Sequence, residues 1–97
     1  MARTSFHPGV HLQIELDELK MTAVEFAEKL HVSCDRVEAV LGERECVNAE
    51  FALRLAHYFG TSAQFWLNLQ DSFDLEEAEK RVGEEIRGLD TLQAAAA

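Results

Sequence analysis

Four side chains of the 97-residue sequence stand at spacings that could share a metal ion on a helical face: His7 and His11 at i, i+4, and His31 and Cys34 at i, i+3. Neither pair has a third ligand at short range, and no glutamate lies between the first two histidines in the zinc-protease arrangement. Both pairs therefore read as scattered polar residues, with His7 beside a helix start. No metal or cofactor is expected. No nucleophile with an adjacent base emerges either, so catalysis is not expected.

The remaining candidate chemistry is the recognition of anions. Arg36 can pair in bidentate fashion with guanine or hold a phosphate, and Arg44 can hold a phosphate. They are the two cations of residues 33 to 45, against the four carboxylates Asp35, Glu38, Glu43 and Glu45. The whole chain carries a formal charge of −9, with net −4 in residues 1 to 70 and net −5 in residues 71 to 97. Duplex DNA is repelled by such an acidic tail, so any face that meets phosphate must be small and turned away from it.

Positioning these groups falls to helices. A hydrophobic fraction of 47% with one proline and five glycines argues against disorder. The apolar residues recur at helical rather than alternating spacing. One all-α domain, residues 1–97, is expected, in which either the helices pack very economically or a partner chain completes the core. Without a long apolar run or a signal-like amino terminus, the chain reads as a soluble cytoplasmic protein away from membranes. Its two cysteines, Cys34 and Cys46, read as reduced thiols.

Pro8 suits the first turn of a helix over about 8–20, in which Leu12, Leu16 and Leu19 form a stripe widened by Val10 and Ile14. Thr22 and Glu25 fit a capping box that opens a second helix with Phe26, Ala27 and Leu30 inward. Ser33 caps a third, carrying Val37, Val40 and Leu41 inward and stopping at Gly42. Asn48 caps a fourth helix that ends at Gly60, and Thr61 or Ser62 caps a fifth around Phe65, Trp66, Leu67 and Leu69. Asp74 to Glu77 resembles one more cap, ahead of a separate acidic helix over about 74–87. Residues 88–97 are expected to be disordered.

Residues 22–41 fit a helix-turn-helix. With Ala23 as position 1 of a twenty-residue motif, the buried positions 4, 8, 10, 15 and 18 fall on Phe26, Leu30, Val32, Val37 and Val40. Position 5, where two helices cross so closely that only a methyl group fits, is Ala27. Position 9 needs positive φ, usually supplied by glycine. Here it is His31, which tolerates that conformation better than branched residues do.

The run His7-Pro8-Gly9, this helix pair, Ala52-Leu53-Arg54-Leu55-Ala56, Phe59-Gly60-Thr61-Ser62, Phe65-Trp66-Leu67-Asn68-Leu69-Gln70 and Asp74-Leu75 together resemble the HigA antitoxin family. That family is a branch of the lambda-repressor-like, XRE-type DNA-binding proteins, and the resemblance spans residues 7 to about 80. It implies a lambda-repressor-like fold of five to six helices and a homodimeric antitoxin. Such a protein neutralises a HigB or RelE-like mRNA endonuclease toxin and represses its own operon at a palindromic operator.

On this resemblance the third helix enters the major groove. Ser33, Cys34, Asp35, Arg36 and Ala39 would face the bases, while Thr22 with the first backbone N–H groups of the second helix would hold one phosphate and Arg44 another. Where the family carries Asn-Gly and two basic residues after this helix, the chain has Gly42-Glu43-Arg44-Glu45. Two alternatives stand beside the antitoxin reading: a stand-alone XRE-type regulator, and an acidic interaction module that has lost DNA binding. Arg54 reads as an intramolecular partner of a carboxylate rather than as a DNA contact.

Overall fold

The computed structural model describes residues 5–92, in which all regular structure is helical. Five helices follow one another: α1 (Pro8–Leu19), α2 (Ala23–Leu30), α3 (Cys34–Leu41), α4 (Ala49–Phe59) and α5 (Ala63–Arg87). None of them is long and apolar enough to cross a membrane.

Caps set the boundaries. At the start of each of α2 to α5, the N-cap side chain accepts the backbone N–H three residues on: Thr22 from Glu25, Ser33 from Arg36, Asn48 from Phe51 and Ser62 from Phe65. Thr22 forms the full capping box, its own N–H donating to Glu25 Oε1 at 2.9 Å. Helix α1 uses His7 instead, whose Nδ1 accepts the Gly9 N–H at 2.9 Å while Pro8 occupies the first turn. This histidine is buried with its ring edge-on to Phe73, and so belongs to the packing of the first turn.

Leu12 and Leu16 of α1, Phe26 and Leu30 of α2, Val37 and Val40 of α3, and Phe51 and Leu55 of α4 close on Trp66 of α5 to form the core. Full burial of such a side chain contributes about 1.5–3 kcal/mol relative to exposure. Trp66 also donates its indole N–H to Thr61 Oγ1 at 2.9 Å, which gives its polar end a partner. The α1 stripe is narrower than its sequence suggests. Ile14 and Leu19 point outward, because packing against α3 and α5 covers only the Leu12–Leu16 side. Val32 is half-buried at the edge of the core rather than within it.

One boundary differs from expectation. No break separates a fifth helix from an acidic sixth, and α5 runs through Asp74 to Glu77 as one helix of 25 residues. Instead of capping a new helix, Asp74 accepts the side-chain amide of Gln70 one turn earlier at 3.0 Å. No glycine or proline lies between residues 61 and 82 to interrupt the backbone. The far half of α5 thus projects from the body, and the molecule measures 59 × 24 × 21 Å. Gly88 caps it, and residues 89–92 follow on the exposed surface. Residues 93–97 of the expected disordered tail lie outside the described residues.

Candidate nucleic-acid interface

Helices α2 and α3 pack against each other, with Ala27 of α2 buried in the core. The turn between them is made by His31 at φ 59° and ψ 45°, the left-handed conformation required at position 9. The Val32 N–H then donates to the Ala27 carbonyl at 3.1 Å, closing the end of α2. From the other side Arg54 of α4 donates to the Leu30 carbonyl at 2.7 Å and pairs with Glu50 at 2.9 Å. Arg54 is thus the intramolecular partner its sequence position suggests, and it braces the turn.

Helix α3 is held in place by two further contacts. Gly9 lies so close to the last turn of α3 that an added Cβ would stand 2.0 Å from the Val40 carbonyl oxygen. Behind α3, the Val47 N–H donates to the buried Gln70 Oε1 at 2.8 Å, tying the segment between α3 and α4 to α5. These contacts give physical roles to the glycine of His7-Pro8-Gly9 and the glutamine of Phe65-to-Gln70.

Ser33, Asp35 and Glu38 are exposed on the outer side of α3, with Cys34 half-buried at its first position. Partial burial, then the neighbouring Glu38 and Asp35 carboxylates, push the Cys34 thiol above its ordinary value. Cys34 and Cys46 are both free thiols. Thr22 is exposed at the start of α2, where the capping box takes the N–H of Glu25 and leaves those of Ala23 and Val24 as the helix's unpaired first-turn donors. Arg44 is exposed, with its guanidinium folded back over Gly42.

Two expectations for this face need correction. Ala39 does not face outward: it is 9% exposed, and its carbonyl accepts the N–H groups of both Arg44 (2.7 Å) and Glu45 (3.2 Å). The chain after α3 folds back onto that turn through Glu43 at φ 61°, and so Ala39 belongs to the packed side of the helix. Arg36 does not extend from α3 toward solvent. Its guanidinium carbon lies 5.2 Å from the centroid of the Phe51 ring, and its Nε stands 2.8 Å from Glu45 Oε1. That nitrogen is shielded from solvent and lies off the line of a hydrogen bond to the carboxylate, so the contact is a charge pair without good hydrogen-bond alignment.

Among the described residues no group of three or more His, Cys, Asp and Glu side chains could hold a metal ion. His11 packs edge-on to Phe65 and Trp66 and stands 3.5 Å from Glu15.

A capped helix, a tight turn at positive φ and a second helix braced from three sides with one face in solvent define a helix-turn-helix protein of the lambda-repressor kind. No family model matches the chain. It is 42% identical over 77 residues to virulence-associated protein I of Dichelobacter nodosus, covering 78% of this chain and 71% of that relative. An addiction module antidote protein of the HigA family from Coxiella burnetii superposes with a TM-score of 0.89 at 42% identity, over 92% of this chain and 98% of that one. Antitoxin HigA of Pseudomonas aeruginosa, solved with the higBA promoter, gives a TM-score of 0.85 at 37% identity, over 90% and 97%. The chain belongs to the HigA family of helix-turn-helix antitoxins.

Proposed function

We propose that this protein is an antitoxin of a type II toxin-antitoxin module in the cytoplasm. As a homodimer it binds a palindromic operator through α3 and represses its own operon, and it neutralises a HigB or RelE-like mRNA endonuclease. The observation that carries the reading is the posture of α3, fixed by Ala27, Gly9 and Gln70 with the Ser33-to-Glu38 side left in solvent. The likeness to a HigA solved with its promoter supports it.

Within that reading Thr22 and the Ala23 and Val24 N–H groups receive one phosphate, Arg44 another, and Ser33, Cys34, Asp35 and Arg36 meet the base edges. Ala39 leaves the set. A carboxylate such as Asp35 reads cytosine, whose amino group it can accept from. The far half of α5 carries much of the negative charge and would speed the encounter with a basic toxin.

Gel-shift titration with the palindrome upstream of the gene, at two salt concentrations, tests the DNA half of the proposal. A specific shift that weakens with added salt supports it. No specific shift at either concentration favours an acidic interaction module instead. Co-purification of a small basic protein encoded beside the gene supports the antitoxin role over that of a stand-alone regulator.

A further inference from the structure

We infer that Glu45 sets the operator affinity of this protein by holding Arg36 on Phe51, in competition with DNA for the same guanidinium. The inference rests on the DNA-binding reading above and concerns a residue outside the face assigned there.

Arg36 is the third residue of α3, its N–H already accepted by the Ser33 cap at 3.1 Å. From that position an extended side chain would leave the helix beside Asp35. Instead it bends back, its guanidinium over the Phe51 ring and its Nε 2.8 Å from the Glu45 carboxylate. Glu45 is not on a free loop. The positive φ of Glu43 and the paired N–H bonds of Arg44 and Glu45 to the Ala39 carbonyl wind residues 43–45 onto the last turn of α3. The carboxylate is therefore presented to Arg36 by the backbone, and Phe51, itself buried, supplies a fixed platform.

The contact is also releasable. Both side chains keep solvent access, at 31% for Arg36 and 50% for Glu45, and Nε is misaligned with the oxygen it approaches. A pair of this kind contributes little to folding, whereas a phosphate or guanine edge offers the guanidinium two aligned acceptors. Binding DNA through Arg36 thus requires that the Glu45 contact be given up.

Glu45 could also weaken binding simply by repelling phosphate, and a double-mutant cycle separates the two. Dissociation constants for a duplex carrying the upstream palindrome are measured for wild type, Glu45→Gln, Arg36→Ala and the double variant, with Glu43→Gln as a charge control. Competition predicts that Glu45→Gln tightens binding about three- to fivefold, the most that a half-exposed ion pair can withhold. The same change tightens it less than about twofold when residue 36 is alanine.

Equal tightening in both backgrounds, or an equal gain from Glu43→Gln, overturns the inference while leaving DNA binding intact. Failure of wild type and Glu45→Gln alike to shift the duplex overturns the DNA-binding reading itself and the inference with it. Thermal melting of each variant confirms that the fold is unchanged.

Discussion

The guanidinium of Arg54 on α4 donates to the carbonyl of Leu30, the last residue of α2, at 2.7 Å. A helix ends with carbonyls that have no intrahelical partner, and here a neighbouring helix supplies one. The charge is favourably placed, because the C-terminus of α2 carries the negative end of the helix dipole. Arg54→Ala leaves a part-buried carbonyl without its donor and is expected to cost about 1–3 kcal/mol. Urea denaturation checks the magnitude. Arg54→Lys keeps a charge and one donor but loses the fork that reaches both Leu30 and Glu50, and should fall between wild type and alanine.

Gly9 gives the sharpest steric prediction. An added Cβ would meet the Val40 carbonyl oxygen at 2.0 Å and its carbon at 3.0 Å, and both are backbone atoms that no rotamer change can move. Gly9→Ala must therefore push the start of α1 away from the end of α3. Overpacking of this kind costs about 1–3 kcal/mol, and a backbone clash belongs at the upper end. Thermal unfolding reads the loss of stability. Because α3 shifts with it, operator affinity should fall even though residue 9 lies outside the proposed DNA face.

His31 allows a prediction of opposite sign. At φ 59° its Cβ lies close to the following carbonyl, a strain absent in glycine. Glycine also has more freedom to lose on folding, which offsets part of the gain. His31→Gly should stabilise the protein by about 0.5–1 kcal/mol, and His31→Val should destabilise it by about 1–2 kcal/mol, since a β-branched residue fits the left-handed region poorly. Paired melting curves decide the matter, and an unstable glycine variant would show that the imidazole contributes something beyond geometry.

These sites show what could be read before the structure. The caps at Thr22, Ser33, Asn48 and Ser62 were legible because each pairs a short polar side chain with an N–H three residues on, a relation contained in a few residues. Ala27 and His31 were legible because the motif fixes size at one position and φ at the other. Asp74-Leu-Glu-Glu77 misled for the same local reason. A cap pattern within a helix is silent when the aspartate finds a partner one turn earlier, as Asp74 does in Gln70. Arg36 and Ala39 could not be read at all from local pattern. Their environment depends on how residues 43–45 fold back, and so on the positive φ of a glutamate that nothing in its type announces.

The projecting half of α5 carries the last prediction. Leu75, Ala78, Val82 and Ile86 recur on one side of the helix and Leu89 follows just past its end; Leu75 is 72% and Leu89 62% exposed. None of the five packs on the core. An apolar stripe on a charged, protruding helix fits the dimer seam that the proposed function requires. Two copies laid antiparallel across Val82 set Ala78 against Ile86 and bring Leu75 to the end of the partner helix. Val82→Glu places two carboxylates on the two-fold axis and is expected to convert the dimer to a monomer in sedimentation equilibrium, with the helical content of circular dichroism retained. A dimer indifferent to this change would place the seam on another face, and a wild-type monomer would remove the geometric basis for reading a palindrome.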